Sequence, residues 1–129
     1  MRMTDRIIIP GRLVGLNEYT RACRSHWSRG SRLKRQQTEL VAWYARAAGA
    51  HGHEGPVEVT CEWHERDARR DLDNVAFGIK FVLDGLVMAK VISGDDQAHV
   101  TGIEHRFLVS PDWPRVVVEV RDVERKEKR

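Results

Sequence analysis

Cysteine is scarce in this chain. There are two, Cys23 and Cys61, and their separation fits neither a zinc-binding nor a thioredoxin-type pattern. A disulfide framework and thiol-ligated metal chemistry are thereby set aside, and both thiols are expected to be reduced. Cys61 lies in a strand-like run and reads as core. Long apolar runs are absent too: nothing approaches the roughly 20 residues that span a bilayer. The opening Met1–Arg6 leads into no apolar stretch of signal-peptide length. The expectation is a soluble cytoplasmic protein with no membrane partner. Net charge is also small, because 22 Lys and Arg against 19 Asp and Glu give +3. Overall charge therefore says little about a polyanionic partner. With 129 residues, the chain suffices for one modest core. The domain is expected over 1–120, with a charged, flexible tail at 121–129.

The distribution of charge says more than its sum. Residues 21–35 hold Arg21, Arg24, Arg29, Arg32, Lys34 and Arg35 and no acid. Such a local field suits a phosphate backbone; a solvated loop and helix start is the plain alternative.

Periodicity sets the elements. Arg6–Pro10 reads as a first strand ended by Pro10-Gly11, and 11–32 as irregular. Leu33, Leu40, Val41, Tyr44 and Ala47 recur at helical spacing, predicting a helix over about 32–48 with Ser31 as N-cap and Gly49 as stop. Val57, Val59, Cys61 and Trp63 alternate with polar residues, a half-buried strand. A second helix is predicted over about 73–88. Val75, Ile79, Val82 and Leu86 form its core stripe, and Asp73, Phe77, Lys80 and Asp84 lie opposite. His99–Val109 reads as a strand with a bulge at Gly102, and Arg115–Val120 as the last. Trp43 and Trp63 read as core aromatics, and Trp113 as a turn residue. Trp27 either stacks on an unpaired base or packs in its own loop or against a partner. The histidines show no metal-ligand spacing on a common helix face. The fold class is α/β (mixed α+β): one small domain in the order β-α-β-α-β-β, a mixed sheet with two helices packed on it.

Chemistry concentrates at Arg69-Arg70-Asp71-Leu72-Asp73-Asn74, at a strand-to-helix junction. In extended chain, Asp71 and Asp73 share one face. Lys80 follows in the helix, and Asp95-Asp96 follows the helix. Each has a plain alternative: a helix cap for Asp71 or Asp73, an i,i+4 ion pair for Lys80 with Asp84, a turn for Gly94-Asp95-Asp96. Taken together, carboxylates sharing one pocket with a lysine suit Mg²⁺-dependent phosphodiester hydrolysis. The carboxylates hold a hard cation and the lysine offsets developing charge.

The run Arg70-Asp71-Leu72-Asp73-Asn74, then Lys80-Phe81-Val82-Leu83-Asp84-Gly85-Leu86, then Asp95-Asp96 resembles the RusA-type Holliday junction resolvases of phages and prophages. Asn17-Glu18-Tyr19 after the first strand resembles that family's Asn-rich turn. The resemblance implies a homodimeric, Mg²⁺-dependent endonuclease (Mn²⁺ substituting) that cuts four-way DNA junctions in recombination and repair. It assigns Asp71, Asp73 and Asp96, with Asp95 beside it, as metal ligands and catalytic acids, and Lys80 as the catalytic lysine. The chain departs from the family prototype in having Phe77 at the lysine's usual place, one turn earlier. Residues 21–35 would face branched DNA, with Arg66, Arg69 and Arg70 near the scissile phosphate. Competing readings are a noncatalytic prophage protein that binds branched DNA, a nuclease for flaps, forks or duplex, and an interaction module in which the acids serve as caps and turns.

Overall fold

Val57, Val59, Cys61 and Trp63 are all buried, and the strand they predict is the centre of the structure. The computed structural model describes residues 2–123. In chain order the elements are β1 (Thr4–Pro10), α1 (Leu16–Ser25), α2 (Arg29–Ala47), β2 (Val57–Glu65), α3 (Leu72–Ala76), α4 (Ile79–Met88), β3 (Val100–Val109) and β4 (Arg115–Asp122). The four strands form one mixed sheet in the order β1-β4-β2-β3. Strand β4 is antiparallel to β1 and β2, whereas β2 and β3 run parallel, joined by the α3–α4 crossover. The expected bulge is present. Val57 pairs with Val100 and Glu58 with Gly102, so Thr101 is the extra residue.

The chain from 11 to 32, expected to be irregular, contains a helix. Helix α1 starts at Gly15 without a cap from its own side chains. The Asn74 side chain of α3 supplies the acceptor instead, taking the Asn17 N–H at 2.9 Å. Gly15 is required there, since an added Cβ would lie 2.6 Å from Asn74 Oδ1. Helix α2 begins earlier than expected, with Ser28 rather than Ser31 at the N-cap position. Its end follows expectation: Gly49 takes a φ of +69°, the Gly49 N–H bonds to Arg46 O at 2.9 Å and the Ala50 N–H to Ala45 O at 3.1 Å. These are the two bonds of a Schellman cap.

The second predicted helix divides into α3 and α4 at Phe77-Gly78. At Gly78 the backbone lies against the Trp63 ring, where a Cβ would be 2.9 Å from ring carbons. The core stripe is as expected, with Val75, Val82 and Leu86 buried and Phe81 joining them. Helices α2 and α4 meet at Gly85, where a Cβ would fall 2.5 Å from Val41. The Lys34 ammonium pairs with Asp84 at 3.8 Å, so Asp84 is joined to α2 and not, as the i,i+4 spacing suggested, to Lys80. Trp63 is core, but Trp43 is 61% exposed, contrary to expectation. Residues 121 and 122, expected in the tail, pair with Glu58 and Val57 in β4. Val123 also belongs to the fold, its N–H bonded to Pro56 O at 3.0 Å, and residues 124–129 of the predicted tail lie outside the described residues.

Helix α4 ends in the same kind of cap as α2, but with Lys90 at the left-handed position (φ +63°). The Lys90 N–H bonds to Val87 O at 3.0 Å and the Val91 N–H to Leu86 O at 2.9 Å. A side chain in that conformation costs about 1 kcal/mol. Lys90→Gly should therefore raise stability by up to about 1 kcal/mol in chemical denaturation. A loss of stability would show that the lysine stem makes compensating contacts.

Candidate metal and nucleic-acid site

Strand β2 delivers the chain to the Asp-x-Asp segment through a short basic loop. The loop is closed by Arg70, whose Nε lies 2.7 Å from Glu65 Oε1 in a pair largely withdrawn from solvent. Asp67 organises the rest, accepting the Arg69 N–H at 3.0 Å and pairing with Arg66 and Arg69 at 3.6 and 3.8 Å. Arg66, Arg69 and Arg70 line one depression together with Arg12. Arg12, which follows Pro10-Gly11, was not among the expected residues; its nearness depends on β1 ending beside the start of β4.

Asp71 occupies the N-cap position of α3 with extended backbone (φ −65°, ψ 153°), yet its side chain makes no capping bond. Asp73 sits in the first turn of the same helix. Both residues are exposed, and neither carboxylate has a hydrogen bond or ion pair among the described residues. The capping explanation thus holds for Asp71's position but not for its carboxylate. Asn74, between them and the core, is buried and committed to α1.

Lys80 is exposed in the first turn of α4 and unpaired among the described residues. It follows Asp73 by seven positions, across the division between α3 and α4 at Phe77-Gly78. Phe77, one turn after Asp73, packs against Tyr19 and Phe81, with centroids 5.3 and 5.7 Å apart. This is the place of the lysine in the family prototype, and here it belongs to the join between α1 and α4.

Asp95 and Asp96 lie elsewhere. They precede β3, whose first residues adjoin the start of β2: the Val57 N–H bonds to His99 O at 2.9 Å. Asp71 and Asp73 follow the far end of β2, where their chain neighbours Arg70 and Leu72 line a depression with Phe107, Leu108 and Val109 at the end of β3. A nine-residue strand spans roughly 30 Å, so the parallel crossover sets the two acidic pairs at opposite ends of the sheet. The expectation that they share one pocket is not met within a single chain. Among the described residues no three His, Cys, Asp or Glu side chains gather as a metal-holding group. Asp96 is instead occupied by His99, whose Nδ1 lies 2.5 Å from Oδ1. That hydrogen bond holds the Asp96 carboxyl below the usual carboxylate range.

The basic segment 21–35 forms the second half of α1, a tight corner and the first half of α2. Arg21, Arg29 and Arg32 line the groove between the helices with Glu18, and Arg21 and Arg24 line the adjoining face. Arg35 is exposed on α2, and Lys34 is partly engaged by Asp84. Trp27 stands at the corner, 87% exposed, with the His26 ring tilted against it at 5.6 Å between centroids. It does not pack into its own loop. His64, at the end of β2, is buried against Ser110 and Glu62 rather than turned toward Asp71. No helix is long and apolar enough to cross a membrane among the described residues. No family model matches this chain, and no curated protein matches it either.

Proposed function

We propose that this chain is a Mg²⁺-dependent, structure-selective DNA endonuclease that resolves four-way junctions as a homodimer. The observation that carries the reading is the pair of exposed, uncommitted carboxylates, Asp71 and Asp73, directly following in the chain the loop whose Arg66, Arg69 and Arg70 line one depression with Arg12, Glu65 and Asp67. Mg²⁺ is commonly held by one or two carboxylates, with waters and substrate phosphate completing its shell. Asp71 and Asp73 fit that donor set. When bound, the ion supplies Lewis-acid polarisation of the phosphoryl oxygen and makes water a competent nucleophile near neutral pH. The chain's own groups do the rest. Arg66 and Arg69 seat the phosphate, Arg70 fixes the loop through Glu65, and the Lys80 ammonium faces charge that develops in the transition state.

A homodimer offers two identical sites to two symmetry-related strands of a junction. It also provides the way for Asp95 and Asp96 of one chain to approach Asp71 and Asp73 of the other, which the length of the sheet forbids within one chain. Mn²⁺, read by electron paramagnetic resonance, tests the metal assignment. Saturable binding should weaken at least about tenfold in Asp71→Asn and in Asp73→Asn. Undiminished binding in both variants would contradict it.

The helical corner supplies the broader DNA surface. Arg29→Ala or Arg32→Ala should weaken junction binding and reduce the slope of log K against log salt by about one per lost phosphate contact. An unchanged slope would remove the α1–α2 corner from the interface. A second reading, a protein that binds branched DNA without cutting it, is favoured by Phe77 standing where the resemblance would place a lysine and by there being no three-acid cluster among the described residues. It predicts the same salt slopes but no metal-dependent strand scission.

A further inference from the structure

Strand β3 is an edge strand: β2 pairs with it on one side, and among the described residues no strand covers the other. It is ten residues long, carries no proline, and is longer than most edges that proteins leave open. The register with β2 sets Ile103, His105 and Phe107 on the helix-covered side beside Val59, Cys61 and Trp63. Yet Ile103 is 45% and Phe107 36% exposed. Glu104 and Arg106 lie on the opposite side, both well exposed, their side chains 2.7 Å apart.

We infer that two copies of this chain join by antiparallel pairing of β3 with β3, on a two-fold axis at His105. Antiparallel strands related by such an axis must set some residue opposite itself, because paired residues point to the same face. The candidate centres differ sharply. Centring on Glu104 opposes two glutamates, and centring on Arg106 opposes two arginines; like charges directly opposite are destabilising. Centring on His105 opposes Glu104 with the partner's Arg106 and Arg106 with the partner's Glu104. It also pairs Ile103 with the partner's Phe107, twice over, which covers the exposed apolar side chains. At the axis itself, His105 Nδ1 accepts the Trp63 Nε1–H at 2.9 Å, so the ring is already oriented by the core. The pairing runs over 102–108, clear of the bulge at Thr101, and turns two four-stranded sheets into one of eight strands. Because the axis reverses strand direction, the Asp95–His99 turn of each chain falls at the end of the sheet that carries Asp71 and Asp73 of the other. The interface rests on the homodimer of the proposed function, while its strand and register are argued from sheet geometry and charge rather than from cleavage chemistry.

Sedimentation equilibrium on the full chain tests it, with circular dichroism as the check on folding. The wild-type chain should be dimeric. Glu104→Arg alone, or Arg106→Glu alone, should weaken the dimer at least about tenfold while leaving each chain folded. The double variant Glu104→Arg/Arg106→Glu should restore the dimer to within a few-fold of wild type. A monomeric wild type would overturn the proposal. So would a dimer indifferent to both single reversals, or one that the double reversal fails to restore. Cleavage activity does not enter this readout, so an inactive dimer would contradict the nuclease and leave the interface standing.

Discussion

Asp73→Asn should abolish junction cleavage while leaving the fold intact and junction binding as tight as wild type or tighter. Asp73 is exposed, and its carboxylate has no partner among the described residues. The substitution is nearly isosteric, so stability should change by no more than about 0.5 kcal/mol, as for surface changes away from special features. Cleavage should fall by at least about a hundredfold, since merely disturbing a metal ligand's supporting groups can cost that much. Binding should hold or improve because a negative charge facing the phosphate backbone has been removed. Single-turnover cleavage, binding at fixed salt and chemical denaturation separate these effects. Unimpaired cleavage would remove Asp73 from the metal site, and loss of folding would make it a structural residue.

The second large effect concerns stability and lies at the other end of the sheet. His53 is fully buried, its Nε2 2.7 Å from Asp5 and its Nδ1 2.5 Å from Asp122. Asp5 also accepts the His51 N–H at 3.0 Å, and Asp122 accepts the Met3 N–H at 2.8 Å. The His53 N–H reaches Val91 O at 2.8 Å. The His53 imidazole therefore ties the start of β1 to the end of β4, while the backbone of the same residue joins the connection before β2 to the exit of α4. His53→Leu would leave the buried Asp5 facing Asp122 with nothing between them. Breaking a buried pair in this way costs about 3–5 kcal/mol.

The pH dependence has a definite sign. Burial pushes the Asp5 carboxyl up, but hydrogen bonds with His53 and His51 outweigh it, and the group lies below its ordinary 3.8. Asp122 is lowered first by its hydrogen bond with His53 and then by the Met3 N–H. Groups depressed in the folded state contribute stability that is complete above the unfolded carboxylate value and lost as pH falls through the folded one. Wild type should therefore lose stability as pH falls through and below the ordinary carboxylate value of 3.8. His53→Leu should be severely destabilised at pH 7. Its deficit should narrow toward pH 3, where protonation removes the repulsion between the two carboxyls. A deficit unchanged between those pH values would show that the cluster acts through packing and not through charge.

What could be read from the residues follows from what each feature depends on. Strand β2 was legible because alternation reports burial locally, and the α2 stop because Gly49 carries its own conformational signature. Helix α1 was not, because the acceptor that fixes its start belongs to Asn74, 57 positions away. The division of α3 from α4 was hidden for a similar reason, since Gly78 is a break only where the Trp63 ring presses on it. At the site, the Asp71 and Asp73 junction was visible in the local pattern. The separation of Asp95 and Asp96 from it was not, because that depends on β3 running parallel to β2. Trp43 lies beside an apolar helical stripe in sequence, yet its ring is largely exposed and meets Tyr44 edge-on.

The nuclease reading is tested most directly by incubating the wild-type chain with an end-labelled four-way junction, and separately with flap and linear duplex DNA, in Mg²⁺ and in EDTA. The account predicts paired, symmetric incisions confined to the junction, present with Mg²⁺ and absent with EDTA. Junction binding without incision in either Mg²⁺ or Mn²⁺ would contradict it.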